Sequence, residues 1–400
     1  MSHVPRSLFQ PFAIRNLSLR NRFVLPGMQR GWNANFAPLP KAGDFLGRCA
    51  EGGASLIISE GVAVDHPSAT WQSKAACINE ATAEVWEGTI ERVHRAGAAM
   101  FIQLWHEGAI RLENRGGPDP SYPSLSPSGL TQRDKPNGRA ATPSDLAELK
   151  DAYVRGALLA EQIGADGVEV SCAHGYLLDQ FLWSETNVRT DAYGGPDAAA
   201  RARFIAEIIR EIRAATGEDF VISLRFSQWK EVDYEARIVE SPEELGRLLD
   251  VLRGAGVDVF HVSTRRFRAP EWPSSDLGLA GWTRSLTDAP VIANGSVGLT
   301  LDVMKTFFTT EGIDQDFGDN LRELERRFLN SEFDMVSVGR SHIGDSEWVS
   351  KVASARFDEI RPFTRALLAD LVEGWDTGVI GDAHDMDGAV LEREHASVTG

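Results

Sequence analysis

The amino-acid sequence predicts an α/β chain closed into a single (β/α)8 TIM barrel with long loops at its C-terminal face. Three observations predict it. The chain has 400 residues, within the range of one such barrel. Eight short apolar runs of the kind that form buried parallel strands occur along it. Amphipathic stretches with helix start and stop signals separate most of them, the alternation of a parallel α/β sheet. A doubly wound sheet is the competitor. It would usually carry a glycine-rich turn after an early strand, and no G-x-G-x-x-G occurs here.

Taken in order, the strand runs are Phe23–Met28, Ser55–Glu60, Met100–Trp105, Gly167–Ser171, Val221–Ser227, Val259–Ser263, Pro290–Gly295 and Met335–Gly339. A helix is expected from about Ala81 to Arg95, burying Trp86, Ile90 and Val93. Thr142-Pro143-Ser144-Asp145 opens another, with an inward stripe of Leu149, Tyr153, Gly156, Ala160 and Ile163 and a stop at Gly164. Ser241 caps a third, Pro242 suits its first position, and Glu244 is placed to complete a capping box. Its stripe is Leu245, Leu248, Leu249 and Leu252, and Gly254 and Gly256 can end it.

The barrel is expected over residues 1–375, with insertions at about 107–141, 265–289 and 309–332. The first two leave C-terminal strand ends and are candidate lids. The third carries a charged helical pattern, NLRELERRFL, and reads as a peripheral insertion. Residues 376–400 read as a polar, acidic tail that is mobile or lies on a neighbouring subunit.

Composition narrows the function. A net charge of −17 argues against a nucleic-acid partner and against an anionic membrane surface, both of which call for a basic face. No apolar run approaches the ~20 residues of a membrane helix, and the first residues lack the apolar core of a signal peptide. Cys49, Cys77 and Cys172 are scattered and odd in number, which argues against a disulfide framework or a cysteine metal site. The cytoplasm is the expected compartment and a small molecule the expected partner. A homo-oligomer stays open, with Arg361–Phe363 and the tail as segments that could reach a neighbour.

In a barrel of this kind the chemistry sits at C-terminal strand ends. Those ends carry Met28–Gln29, Glu60–Gly61, Gln103–His106, Ser171–His174, Arg225–Ser227, His261–Ser263, Asn294–Ser296 and Gly339–Ser341. The set is rich in hydrogen-bond donors and poor in carboxylates. His106 and His174 stand alone on separate strands, so no metal site is expected. A glycosidase needs two strand-end carboxylates, and only Glu60 and Glu107 offer themselves. Asn294, Gly295, Gly339 and Arg340, after strands seven and eight, suit a phosphate held by loop amides and a guanidinium. Either glycine alone would only permit a tight turn.

The segment GVEVSCAHGYLLDQFL, followed by NVRTDAYGG and RARF, resembles the old yellow enzyme family of FMN-containing barrel reductases. The resemblance runs from LFQPFAIRNLSLRNRFVLPGM to MVSVGRSHIGD. It implies FMN as cofactor, NADPH or NADH as reductant, and hydride delivery to an electron-poor alkene. It implies that Pro26, Gly27, Met28 and Gln29 lie along the flavin ring and that Gly61 packs against it. Gln103 would bond the pyrimidine edge, and Arg225 would lie near N1. Asn294, Gly295, Gly339 and Arg340 would hold the phosphate. Tyr176 would be the proton donor, and His174 the second of two donors to the substrate carbonyl.

The sequence departs from that pattern. Ser171 stands where the first carbonyl donor is normally histidine, and serine is shorter and never cationic. Gln29 stands where Thr or Cys is frequent. Pro26-Gly27 stands where a small residue followed by proline is usual. Trp183 replaces a small residue, and Trp105 adds bulk beside Gln103. These changes imply a substrate other than a simple cyclic enone. Two further readings stay open. One is oxidation or demethylation of an N-methylated amine, which needs no pair of carbonyl donors. The other is a barrel that binds flavin or acts as a scaffold without catalysis.

Overall fold

In the computed structural model, which describes residues 1–300 and 315–368, eight parallel strands close into a barrel. They are β1 (Phe23–Leu25), β2 (Leu56–Val64), β3 (Ala99–Trp105), β4 (Gly167–His174), β5 (Val221–Lys230), β6 (Val259–Ser263), β7 (Val291–Asn294) and β8 (Met335–Ser337). Each pairs with the next. Closure comes from β1, which pairs with β2 through Val24–Leu56 and with β8 through Phe23–Val336. All eight predicted runs are therefore barrel strands.

The strand ends differ from expectation in ways that matter for the site. β1 stops at Leu25 because Pro26 has no N–H to give a ladder. β2 continues past Glu60 to Val64, with a register irregularity between Ile58 and Gly61. β5 continues past Ser227 to Lys230. Beside it, β4 advances from Cys172 to His174 while β5 advances from Phe226 to Lys230, so the two strands fall out of step at their upper ends.

The helices are α1 (Pro40–Glu51), α2 (Ala83–Arg95), α3 (Pro143–Gln162), α4 (Arg203–Ala215), α5 (Pro242–Ala255), α6 (Leu279–Leu286) and α7 (Asp319–Leu329), of which α2, α3, α5 and α7 fall where the sequence predicts them. At α3, Thr142 and Asp145 form a reciprocal capping box. At α5, Ser241 accepts from the Glu244 amide, but the Glu244 carboxylate takes the amide of Glu240 instead, so the expected box is only half made. Gly256, in a left-handed conformation (φ +119°), ends this helix. The expected insertion at 265–289 is shorter than it looked, because α6 occupies its second half. Of the expected stretch 309–332, residues 309–314 lie outside the described residues. The rest includes α7, which buries Leu321 and Leu324 and is tied to the chain start by Glu325 accepting from His3 and Ser7. The tail, 376–400, lies outside the described residues.

A hairpin, Phe12–Ile14 with Leu17–Leu19, closes the lower end of the barrel. Its Ile14 and Leu19 join Val24, Leu56, Ile58, Phe101, Val221, Val259, Ile292 and Met335 in a separate apolar cluster. Polar side chains lie at higher positions on the same strands. Among the described residues no helix is long and apolar enough to cross a membrane, and no group of His, Cys, Asp or Glu is arranged to hold a metal ion.

Candidate active site

Side chains alternate across a strand, so Glu169, Ser171 and Ala173 of β4 share one face. Glu169 lies within the barrel and is fully buried. It accepts from Gln103 Nε2 at 2.7 Å and from Ser223 Oγ at 3.1 Å, and it lies 2.7 Å from His261 Nδ1. His261 Nε2 lies 2.9 Å from Ser337 Oγ, to which Asn294 also donates at 2.7 Å. Burial works to raise the Glu169 pKa, but His261, Arg225 and the Gln103 amide outweigh it and hold the carboxyl below its usual range. This network links six strands into a polar floor.

Arg225 is register-paired with Ser171 and belongs to this floor. Its guanidinium donates to the Gly27 carbonyl at 3.2 Å and to Ser263 Oγ at 3.4 Å, while its buried Nε has no hydrogen-bond partner. Above it, His174 has φ +65° and Gly175 φ +88°. This left-handed pair turns the chain sharply off β4 and presents Tyr176. His174 Nε2 lies 2.8 Å from Ser263 Oγ, and its ring tilts against Trp229 at 4.6 Å. Burial, then the charges of Arg225 and Lys230, push the His174 pKa well down, so the ring is neutral.

Tyr176 meets Trp105 edge-on at 5.2 Å and donates to Glu231 Oε1 at 3.0 Å. Burial, then the carboxylates of Glu231 and Glu107, push its phenol well above the usual value. The turn is anchored from below. Asp179 accepts from the Gly175 amide at 2.6 Å and from Lys230 Nζ at 2.7 Å, with both charged side chains fully buried.

Half-buried residues trace the groove: Gly27, Met28 and Gln29 on one wall, Asn294, Ser296, Gly339 and Arg340 along another, and His174 and Tyr176 above. Gln29 donates to the Gly61 carbonyl at 3.1 Å. A Cβ on Gly27 would come within 2.6 Å of both Gln103 Nε2 and the Ser59 carbonyl, so only glycine fits there. On Gly61 a Cβ would press on Trp105 at 3.1 Å, and on Gly339 it would meet Met28 Sδ at 3.0 Å. Gly295, at φ +139°, lies against Thr264, and Arg340 donates to Ser296 Oγ at 2.9 Å.

These features fit FMN. A buried guanidinium nitrogen without a partner and the Gln103 amide supply donors for an electron-rich ring edge. The glycines let the protein's own residues, Gln103, Trp105 and Met28 among them, pack close along this end, and Arg340 beside Asn294 and Gly295 suits a phosphate.

The predicted site residues thus gather at one end of the barrel, with Gly61 the one difference in placement. Trp183 is buried in the core with Lys230 Nζ 5.9 Å from its ring, so it does not line the groove. Gly61 lies within β2, not at its end. Glu60 and Glu107 are buried and pushed up to about 7 by burial. Glu60 accepts from Asn33, and Glu107 from the Trp71 amide and Gln72, so both serve the framework.

Two participants, Glu169 and Glu231, escaped sequence reasoning, and His261, named at its strand end, was given no role. Glu169 and His261 form the floor; the two-residue spacing of Glu169 and Ser171 on one strand was the available signal. Glu231 was missed because β5 was expected to end at Ser227.

Comparison with known proteins agrees with this geometry. The family model described as NADH:flavin oxidoreductase / NADH oxidase matches residues 7–359. An NADH oxidase of Thermoanaerobacter brockii is 31% identical over 90% of this chain and 52% of its own length. The chain therefore spans about half of that relative. The 12-oxophytodienoate reductase 7 of Oryza sativa subsp. japonica is 29% identical over 86% of this chain and 87% of its own. Morphinone reductase, solved in complex with tetrahydroNAD, shares the fold with a TM-score of 0.74 at 23% identity, covering 90% of this chain and 94% of that one. The chain belongs to the NADH:flavin oxidoreductase / NADH oxidase family, whose cofactor is FMN.

Proposed function

We propose that this chain is an NAD(P)H-dependent ene-reductase in which Tyr176 gives a proton to an electron-poor alkene. When bound, FMN supplies the hydride relay between NAD(P)H and the substrate carbon. The observation that carries the reading is the Tyr176 hydroxyl, held in the groove above the Arg225 layer with its pKa well raised. Such a phenol stays protonated at neutral pH and yields its proton only to a strongly basic centre, as an enolate carbon developing in the reaction would be. His174, neutral and fixed by Ser263, can donate to a carbonyl oxygen. Arg225 and Gln103 would hold the pyrimidine edge of the flavin, and Asn294, Gly295, Gly339 and Arg340 its phosphate.

The test is Tyr176→Phe under anaerobic rapid mixing. The expected result is reoxidation of the reduced enzyme by trans-2-hexenal, an acyclic electron-poor alkene, slowed by roughly 10²- to 10⁴-fold, with reduction by NADPH or NADH changed less than about threefold. Equal reoxidation rates in the two proteins would remove Tyr176 from the role.

One observation favours a second reading. Ser171 is only 5% exposed, so it offers little hydroxyl to a substrate carbonyl. Oxidation of an N-methylated amine needs no second carbonyl donor. Flavin bleaching on mixing with such an amine, and none with NAD(P)H, would select it. Purified protein that takes up no FMN would select a scaffold role.

A further inference from the structure

We propose that Glu231 is a positioning residue that sets the direction of the Tyr176 hydroxyl and restores its proton. As a carboxylate, Glu231 accepts the phenolic O–H and turns it away from the substrate. As a carboxylic acid, it donates to the phenol oxygen and leaves the O–H free for the substrate. This inference rests on the ene-reductase reading and adds the control of its proton.

The geometry is built for a fixed pair. Tyr176 Oη donates to Glu231 Oε1 at 3.0 Å. The two residues follow the ends of adjacent strands, and the Glu231 amide donates to the His174 carbonyl at 3.0 Å. Beneath them Asp179 grips both backbones, one through the Gly175 amide and the other through Lys230.

Glu231 also has a route for protons. Its side chain is exposed at the groove mouth, yet protein surrounds it on the inner side and withholds much of the water that would stabilise a charge. The protein on that inner side desolvates the carboxyl and raises its pKa against the pull of Tyr176 and Arg225. Among the described residues, the neutral His174 ring packs 6.4 Å from that of Tyr176. Arg225 faces the pair from within β5 and Glu107 faces Tyr176 from the loop after β3, while Lys230 is turned down to Asp179. The proton balance closes. Tyr176 gives its proton to the substrate, the Glu231 acid proton passes to the phenolate oxygen, and water at the groove mouth re-protonates Glu231.

Two measurements on the FMN-loaded protein test this. Reoxidation of the reduced enzyme by trans-2-hexenal should fall about tenfold per pH unit above about 7 in the parent. In Glu231→Gln, which cannot change charge, it should stay within about twofold over that range. Infrared difference spectra should show the Tyr176 C–O stretch, identified by its loss in Tyr176→Phe, shifting as pH crosses the same point in the parent and not in Glu231→Gln. A pH break retained in Glu231→Gln, or a Tyr176 band indifferent to pH in the parent, overturns the proposal. No reoxidation by the alkene in the parent defeats the ene-reductase reading instead, and the infrared measurement still decides the pairing.

Discussion

Replacing Lys230 by methionine should destabilise the protein sharply, and in a pH-dependent way. Lys230 and Asp179 are both fully buried, with Nζ 2.7 Å from Oδ1. Burial pulls the Lys230 pKa down and pushes that of Asp179 up, and their mutual attraction opposes both shifts. Methionine has a similar length and fills the space under Trp183, so packing changes little. What remains is a buried carboxylate whose described partner is the Gly175 amide. Removing one member of such a pair costs ~3–5 kcal/mol. With ~2.1 cal/mol/K of unfolding entropy per residue over the roughly 350 described residues, that lowers Tm by roughly 4–7 °C.

The pH dependence follows from the orphaned Asp179. Its folded pKa will lie above the unfolded value of ~3.9, so the folded state binds the proton more tightly. The deficit is therefore complete above the folded pKa and shrinks as pH falls through it. Denaturant unfolding from about pH 8 down to about pH 5, at constant FMN saturation, reads both effects. Asp179→Asn/Lys230→Met, in which the amide oxygen can still accept from Gly175, should return to within about 2 kcal/mol of the parent. A cost below about 1 kcal/mol for Lys230→Met, or one indifferent to pH, would refute the reasoning.

Two more outcomes are expected. Arg340→Ala should weaken FMN about 10- to 100-fold in a fluorescence-quenching titration while leaving riboflavin, which lacks the phosphate, unchanged; equal losses for both ligands would place Arg340 elsewhere. Thr142→Ala breaks a reciprocal capping box and should cost about 1 kcal/mol in denaturant unfolding, whereas Ser241→Gly, at a box only half made, should cost a few tenths.

The barrel was legible because each strand is an apolar run buried on both faces, a pattern that survives without any knowledge of neighbours. The helix starts at Thr142 and Ser241 were legible because capping is local chemistry. Strand ends were not. That β5 reaches Lys230 rests on its pairing with His174 of β4, beside which Ser227 Oγ accepts from the His174 amide at 2.9 Å, contacts across more than 50 residues of sequence. This dependence hid Glu231. The polar floor was hidden for a related reason. Glu169 and His261 are 92 residues apart, and nothing near either one shows that they share a hydrogen bond.

Closure of the barrel through Phe23 and Val336 also has a consequence for synthesis. About 310 residues separate these partners, and at ~5–20 residues per second the ribosome needs roughly 15–60 s to deliver the second after the first. Through that interval β1 has an unsatisfied edge, and the Ile14–Leu19 hairpin has only part of the cluster it finally seals. The nascent chain therefore carries an exposed apolar hairpin and an open strand edge for most of its elongation. A chaperone that holds the first 25 or so residues until β8 emerges should raise the yield of native protein more than one acting after release.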